Sequence, residues 1–251
     1  MTKDKINFYD DTKHFYEDFW IGRDYEHFSE VLALRKLLNK KHFKTAMDFG
    51  GGYGRLSDVL SDYSDKVILV DPSLKQLNIA KDKFKNQDNI EYLLLDKKDY
   101  VPAKDNSVDL ILMVRVSHHV PDPTKLFKEI YRAVAPNGYA IIEVASNAHL
   151  VNRLRQYSKL KRVSKTPIRV GSIANGLKDE TPFVNHNPKT IIKQLNDCGF
   201  KFDKKLSVSN FRNGFLKTHF RLDQLLRAEK ITQKHLAKIN FGPSIFILVK
   251  K

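Results

Sequence analysis

One stretch of the chain, Asp48-Phe49-Gly50-Gly51-Gly52-Tyr53-Gly54, sets an acid before a run with glycine at alternating positions. Glycine turns sharply at positive φ and leaves no Cβ to keep a ligand away from the main chain. If such a loop opens a helix, the free N–H groups and the helix dipole favour an anionic or strongly polar group. Two further carboxylates each close an apolar run: Asp71, followed by Pro72, and Asp96, followed by Lys97. An acid ending the second strand of a nucleotide-binding sheet can accept both ribose hydroxyls. One ending the third can accept an adenine amino group. Either could instead be a turn or cap residue, but three strand-end acids around one glycine loop favour a nucleoside ligand.

Spacing separates the cofactor classes. A dinucleotide fingerprint needs G-x-G-x-x-G, and counting from Gly50 or Gly52 puts Arg55 or Ser57 where the third glycine should stand. Asp48 would also sit awkwardly near a pyrophosphate, whereas it suits an ammonium such as that of a methionine moiety. The pattern favours S-adenosylmethionine over NAD.

Three other groups carry chemistry. His118-His119 follows the fourth apolar run, where an imidazole can act as general base or orient a nucleophile. The pair can equally just shape the loop. Arg115 either lines the pocket or packs with its stem buried. The aromatic, charged segment Tyr16 to Glu26 carries Tyr16, Trp20, Arg23 and Tyr25 ahead of the first strand, where it can cover the site. The alternative is an amphipathic helix on the sheet edge.

Alternating segments position these residues. Apolar strands are expected at 45–49, 66–70, 89–95, 108–114 and 139–144, with helices at 55–63, 74–84 and 123–134 between them. Continuous apolar strands alternating with helices imply a parallel sheet buried on both faces, a doubly wound α/β layout. Pro136-Asn137-Gly138 reads as the stop of the third helix. Residues 8–40 look helical, with Val31, Leu32, Leu34, Leu37 and Leu38 as an apolar stripe. Residues 147–187 turn basic and polar, with Gly171, Gly176 and Pro182 as breakers. A helix from Pro188, a sixth strand at 202–208, a helical stretch at 216–238 and a final strand at 244–249 complete the pattern.

From Thr45 to about Ser146, some two-fifths of the chain, the sequence resembles the class I methyltransferases, especially the type 11 group. The resemblance rests on 47–54, Leu69-Val70-Asp71-Pro72-Ser73, Leu95-Asp96, the run 107–120, Pro121-Asp122-Pro123 and 126–138. It implies a Rossmann-like seven-stranded sheet in the order 3-2-1-4-5-7-6 with the last strand antiparallel, an N-terminal helical lid in which Tyr16, Trp20, Arg23 and Tyr25 wall the site with Arg23 near the methionine carboxylate, and a helical insertion before the sixth strand. It also implies S-adenosylmethionine as cofactor, held by Asp48, Gly50, Gly51, Gly52, Gly54, Asp71, Pro72, Asp96, Lys97, Arg115 and Arg23, with His118 and His119 as catalytic candidates. The expected organisation is one domain: a cap (1–43), a cofactor core (44–146) and a substrate-side region (147–251).

With 44 Lys+Arg against 29 Asp+Glu, the net charge is +15, which attracts nucleic acid or anionic membrane surfaces unless it is merely solvated. The densest basic stretch is 152–169, with Arg153, Arg155, Lys159, Lys161 and Arg162. No run of about 18 apolar residues predicts a membrane span, and a lone cysteine, Cys198, excludes an internal disulfide or a cysteine zinc cage. A cytoplasmic monomer or homodimer without a metal, methylating a small molecule, is the expectation. An RNA or protein methyltransferase, or a non-catalytic binding protein, is the alternative.

Overall fold

A computed structural model describes residues 16–97, 99–170 and 183–251. Residues 8–15 of the expected N-terminal helix and the breakers Gly171, Gly176 and Pro182 lie outside them. After a 3-10 turn at Tyr16–Trp20 come α1 (Asp24–Leu38), β1 (Phe43–Phe49), α2 (Ser57–Ser61), β2 (Ser64–Asp71), α3 (Leu74–Lys83), β3 (Ile90–Leu94) and β4 (Val108–Met113). Next are a 3-10 turn at Ser117–His119, α4 (Thr124–Ala133), β5 (Val134–Ala145), α5 (Leu150–Tyr157), β6 (Ile168–Val170) and β7 (Phe183–Asn185). The chain continues as α6 (Pro188–Asp197), β8 (Lys201–Val208), α7 (Gly214–His219), α8 (Leu222–Ala237) and β9 (Ser244–Lys250).

Seven strands form one sheet in the order β3-β2-β1-β4-β5-β9-β8. Strands β1 to β5 pair in parallel, and β9 runs antiparallel to both β5 and β8. With β8 and β9 as the sixth and seventh strands, this is the expected topology. One face packs Leu34, Leu37 and Leu38 of α1, Leu60 of α2 and Leu77 of α3 against the sheet. The other takes Leu126, Phe127 and Ile130 of α4 with Ile191 and Leu195 of α6. Burial of a side chain such as Phe127 contributes roughly 2–3 kcal/mol. The carboxyl ends of β1 to β5 and of β8 therefore share one edge, where ligands bind in open α/β sheets.

Three elements differ from the expectation. Pro136-Asn137-Gly138 does not end α4; it lies inside β5, where the register with β4 shifts between Val108 and Leu110 and Asn137 takes φ 66°. The turn residues are absorbed as a bulge. The helix expected at 55–63 is reduced to α2, because Gly54 at φ 74° and Ser57, bonded to Asp48, hold the chain in a turn up to Leu56. The stretch 216–238 breaks at Phe220-Arg221, both extended, and Gln224 accepts from Arg221 N to restart it as α8.

Candidate active site

The glycine loop hangs from β2. Gly50 N and Gly51 N both donate to Val70 O, at 2.7 and 3.2 Å. Asp71 holds the loop to the start of α3: one carboxylate oxygen accepts from Gly52 N and the other from Ser73 N, each at 2.8 Å. Asp71 is thus no helix cap; Ser73 caps α3 by accepting from Gln76 N. Gly50 and Gly54 are required on steric grounds. A Cβ on Gly50 (φ 73°) would stand 2.3 Å from Val116 Cγ2, and one on Gly54 (φ 74°) 2.5 Å from Phe84 Cε2.

Asp48 lies beneath this loop, 2% exposed, accepting from Ser57 Oγ at 2.8 Å. Burial pushes its carboxyl up to about 6, with the Ser57 hydrogen bond opposing the shift. Gly51 has no room for a side chain, since its Cβ would meet Leu69 and the Asp48 carboxyl. Asp96 and Lys97 come after β3 on the same edge and are exposed, whereas Pro72 is half-buried.

Above the loop sits the N-terminal segment. The Tyr16 ring is 3.6 Å from the Cβ position of Gly52 and packs edge-on to Tyr53. Trp20 is buried under two guanidiniums, with Arg55 Cζ 3.6 Å and Arg115 Cζ 4.6 Å from its ring. Both arginines share Glu30 of α1: Arg115 donates from Nε at 3.1 Å and from a terminal nitrogen at 2.8 Å, and Arg55 pairs with the other oxygen. Burial pushes the Glu30 carboxyl up, but the two arginines outweigh it and hold it below its ordinary value. Arg23 lies over Phe19, 3.7 Å from its centroid. Tyr25 does not wall the site. Its hydroxyl donates to Glu229 at 2.6 Å and accepts from Phe211 N, pinning α1 to α8.

After β4, Arg115 takes φ 60°, and its N–H donates to Glu143 of β5. The His118 and His119 rings lie 4.1 Å apart, and Phe183 of β7 stacks on His118 at 5.1 Å. Burial drives His118 well below the usual imidazole value, with help from His119 and Arg115, so it is neutral. His186 Nε2 donates to Ser117 O at 3.0 Å and fixes the turn.

The described residues fit an adenosyl ligand on two counts. The Gln76 amide is buried with neither its oxygen nor its nitrogen partnered, and its Oε1 is 3.9 Å from the Gly52 Cβ position. Trp20 Nε1 is likewise buried without a partner. Sequence reasoning missed Gln76, Glu30, Ser57 and Phe183. Only Glu30 left a signal, as an acid beside the apolar stripe of α1. No group of three metal-binding side chains occurs among the described residues.

Comparison with known proteins agrees. Residues 47–142 match the family described as Methyltransferase domain. That segment is a class I, S-adenosylmethionine-dependent methyltransferase domain. An uncharacterized methyltransferase of Mycobacteroides abscessus is 32% identical over 133 residues, 53% of this chain and 46% of that protein. The malonyl-[acyl-carrier protein] O-methyltransferase of a Marinomonas species is 29% identical over 130 residues, 50% and 48%. The chain thus spans about half the length of these curated relatives. The crystal structure of a SAM-dependent methyltransferase from Thermotoga maritima superposes with TM-score 0.60 at 19% identity, covering 94% of each chain, and so shares the fold.

Proposed function

We propose that this chain transfers the methyl group of S-adenosylmethionine to a small-molecule acceptor. When bound, the cofactor supplies an electrophilic methyl on a sulfonium. The observation that carries the reading is the double hold of Asp71 on Gly52 N and Ser73 N beside the unpartnered Gln76 amide. A carboxylate can accept several hydrogen bonds at once, so Asp71 can take ribose hydroxyls besides these N–H groups. Gly52, whose Cβ position has no protein atom nearer than 3.6 Å, lets the ligand approach the main chain of the loop that Gly50 and Gly54 shape, and Asp48 accepts an ammonium. Asp96, with Pro72 and Lys97 beside it, receives the adenine end, while Arg23 and Arg115 face the carboxylate end.

A small acceptor is supported by the rings beside the site, Tyr16 against Gly52 and Phe183 on His118. The O-methyltransferase relative is named for a malonyl group, a small acceptor although it is carried on a protein. His118, held neutral, is the better candidate to take a proton from the acceptor, and His119 shapes the turn; alignment supplies the rest of the rate. We also infer a single domain, a cytoplasmic setting and a monomer or homodimer, the last open to sedimentation analysis.

The test is calorimetry with S-adenosylhomocysteine on the whole chain and on Asp71→Ala. Tight binding that falls about 100-fold in the variant is expected, since a buried carboxylate's hydrogen bonds contribute about 1.5–3 kcal/mol. Equal affinity for both proteins would overturn the assignment. Turnover of a fractionated small-molecule extract separates an enzyme from a binding protein without activity.

A further inference from the structure

Helix α5 is amphipathic with its apolar side outward. At helical spacing, Leu150, Val151, Leu154 and Tyr157 share a stripe about 120° wide. Val151 is 61% exposed, Leu154 58% and Tyr157 60%, and Leu160 in the turn beyond is 98% exposed. No residue of α5 is buried. The polar side is the less exposed one, with Asn152, Arg153 and Gln156 half-buried, and Asn152 N donates to the capping His149 Nδ1. Helix α4 does the reverse, with Leu126, Phe127 and Ile130 fully buried.

Charge surrounds this stripe. Between Glu143 and Asp179 the sequence has no acidic residue. Its described part carries Arg153, Arg155, Lys159, Lys161, Arg162, Lys165 and Arg169. Among the described residues, none of these seven forms an ion pair, and Arg153 Nε is buried without an acceptor. Exposed aliphatic side chains flanked by unpaired cations match an anionic phospholipid surface, where apolar groups enter the headgroup boundary and cations meet phosphates. RNA would use the cations but gain little from Val151, Leu154 and Leu160. A second copy would oppose cations to cations.

We propose that α5 and the turn to Leu160 dock this protein peripherally on anionic membranes. No helix among the described residues is long and apolar enough to cross one. Since α5 comes after the carboxyl end of β5 and Leu150 N is bonded to Phe241 O at 3.1 Å, docking brings that sheet edge to the lipid surface. The proposal is independent of what is methylated.

The experiment is co-sedimentation of the whole chain with vesicles of phosphatidylcholine alone or doped with phosphatidylserine. Binding to the doped vesicles alone is expected, weakened about tenfold or more by Val151→Asp with Leu154→Asp and similarly by Lys161→Glu with Arg162→Glu. The four substituted side chains are solvent-facing, so an unchanged melting temperature certifies folding. The proposal is overturned by absent binding to doped vesicles, or by unchanged binding of the Val151/Leu154 double variant. It is also overturned if that variant loses self-association or salt-sensitive RNA retention and keeps vesicle binding, which would identify a second copy or RNA as the occupant.

Discussion

Asp48 ties cofactor recognition to pH. Its carboxyl is raised to about 6 by burial, so it is ionised at neutral pH and protonated in mild acid. Only the ionised form attracts an ammonium, so S-adenosylhomocysteine affinity should be about tenfold weaker near pH 5 than near pH 8. In Asp48→Asn, affinity should be lower and flat across that range, which calorimetry at both pH values checks. Stability runs the other way. A carboxyl raised above its unfolded value is penalised when charged, and the native state regains that stability as pH falls from about 6 towards the unfolded value. Asp48→Asn should therefore raise unfolding stability at neutral pH by up to about 3 kcal/mol in urea titrations. His118→Gln should lower kcat by roughly 10²-fold or more while cofactor affinity holds, as removal of a general base does. The glycines and strand-end acids were legible because turn geometry and ribose chemistry restrict residue type. Gln76 and Phe183 were not, since nothing local marks an amide or a ring that reaches the site through folding.

At the level of elements, α1 is secured from two sides. Glu30 holds Arg55 and Arg115, from the loop after β1 and the loop after β4. Glu30→Ala would leave two guanidiniums without their shared partner, so a loss of about 3–5 kcal/mol is expected in denaturant unfolding. Tyr25→Phe removes the hydroxyl between Glu229 and Phe211 N and should cost about 1–3 kcal/mol without changing cofactor affinity. The strands were readable from sequence because a sheet buried on both faces demands unbroken apolar runs. The break between α7 and α8 carries neither glycine nor proline and left no local trace. The pairing of Ile168 with Asn185 across a long intervening segment left none either.

For the molecule as a whole, the seven-stranded order came from alternation and resemblance, whereas the placement of 147–170 and 183–187 depended on contacts far apart in sequence. Ligand binding should stabilise this entire unit. S-adenosylhomocysteine at about 100 times its Kd adds about 2.7 kcal/mol, which should raise Tm by roughly 5–10 °C for a chain of this size. A thermal scan with and without ligand checks it, and no shift would speak against the site.

The anchoring of α1 by Tyr25 and Glu30 also determines where exchange traffic can pass. A helix pinned to α8 and to two loops resists swinging aside, so among the described residues the short Tyr16–Trp20 segment is the element expected to move for fresh donor and spent product. Just beyond it, Gly22 sits at φ 71° with nothing within 4 Å of its Cβ position, a natural pivot. Deuterium uptake should accordingly be fast at 16–21, slow throughout α1, and slowed by bound product only in the former.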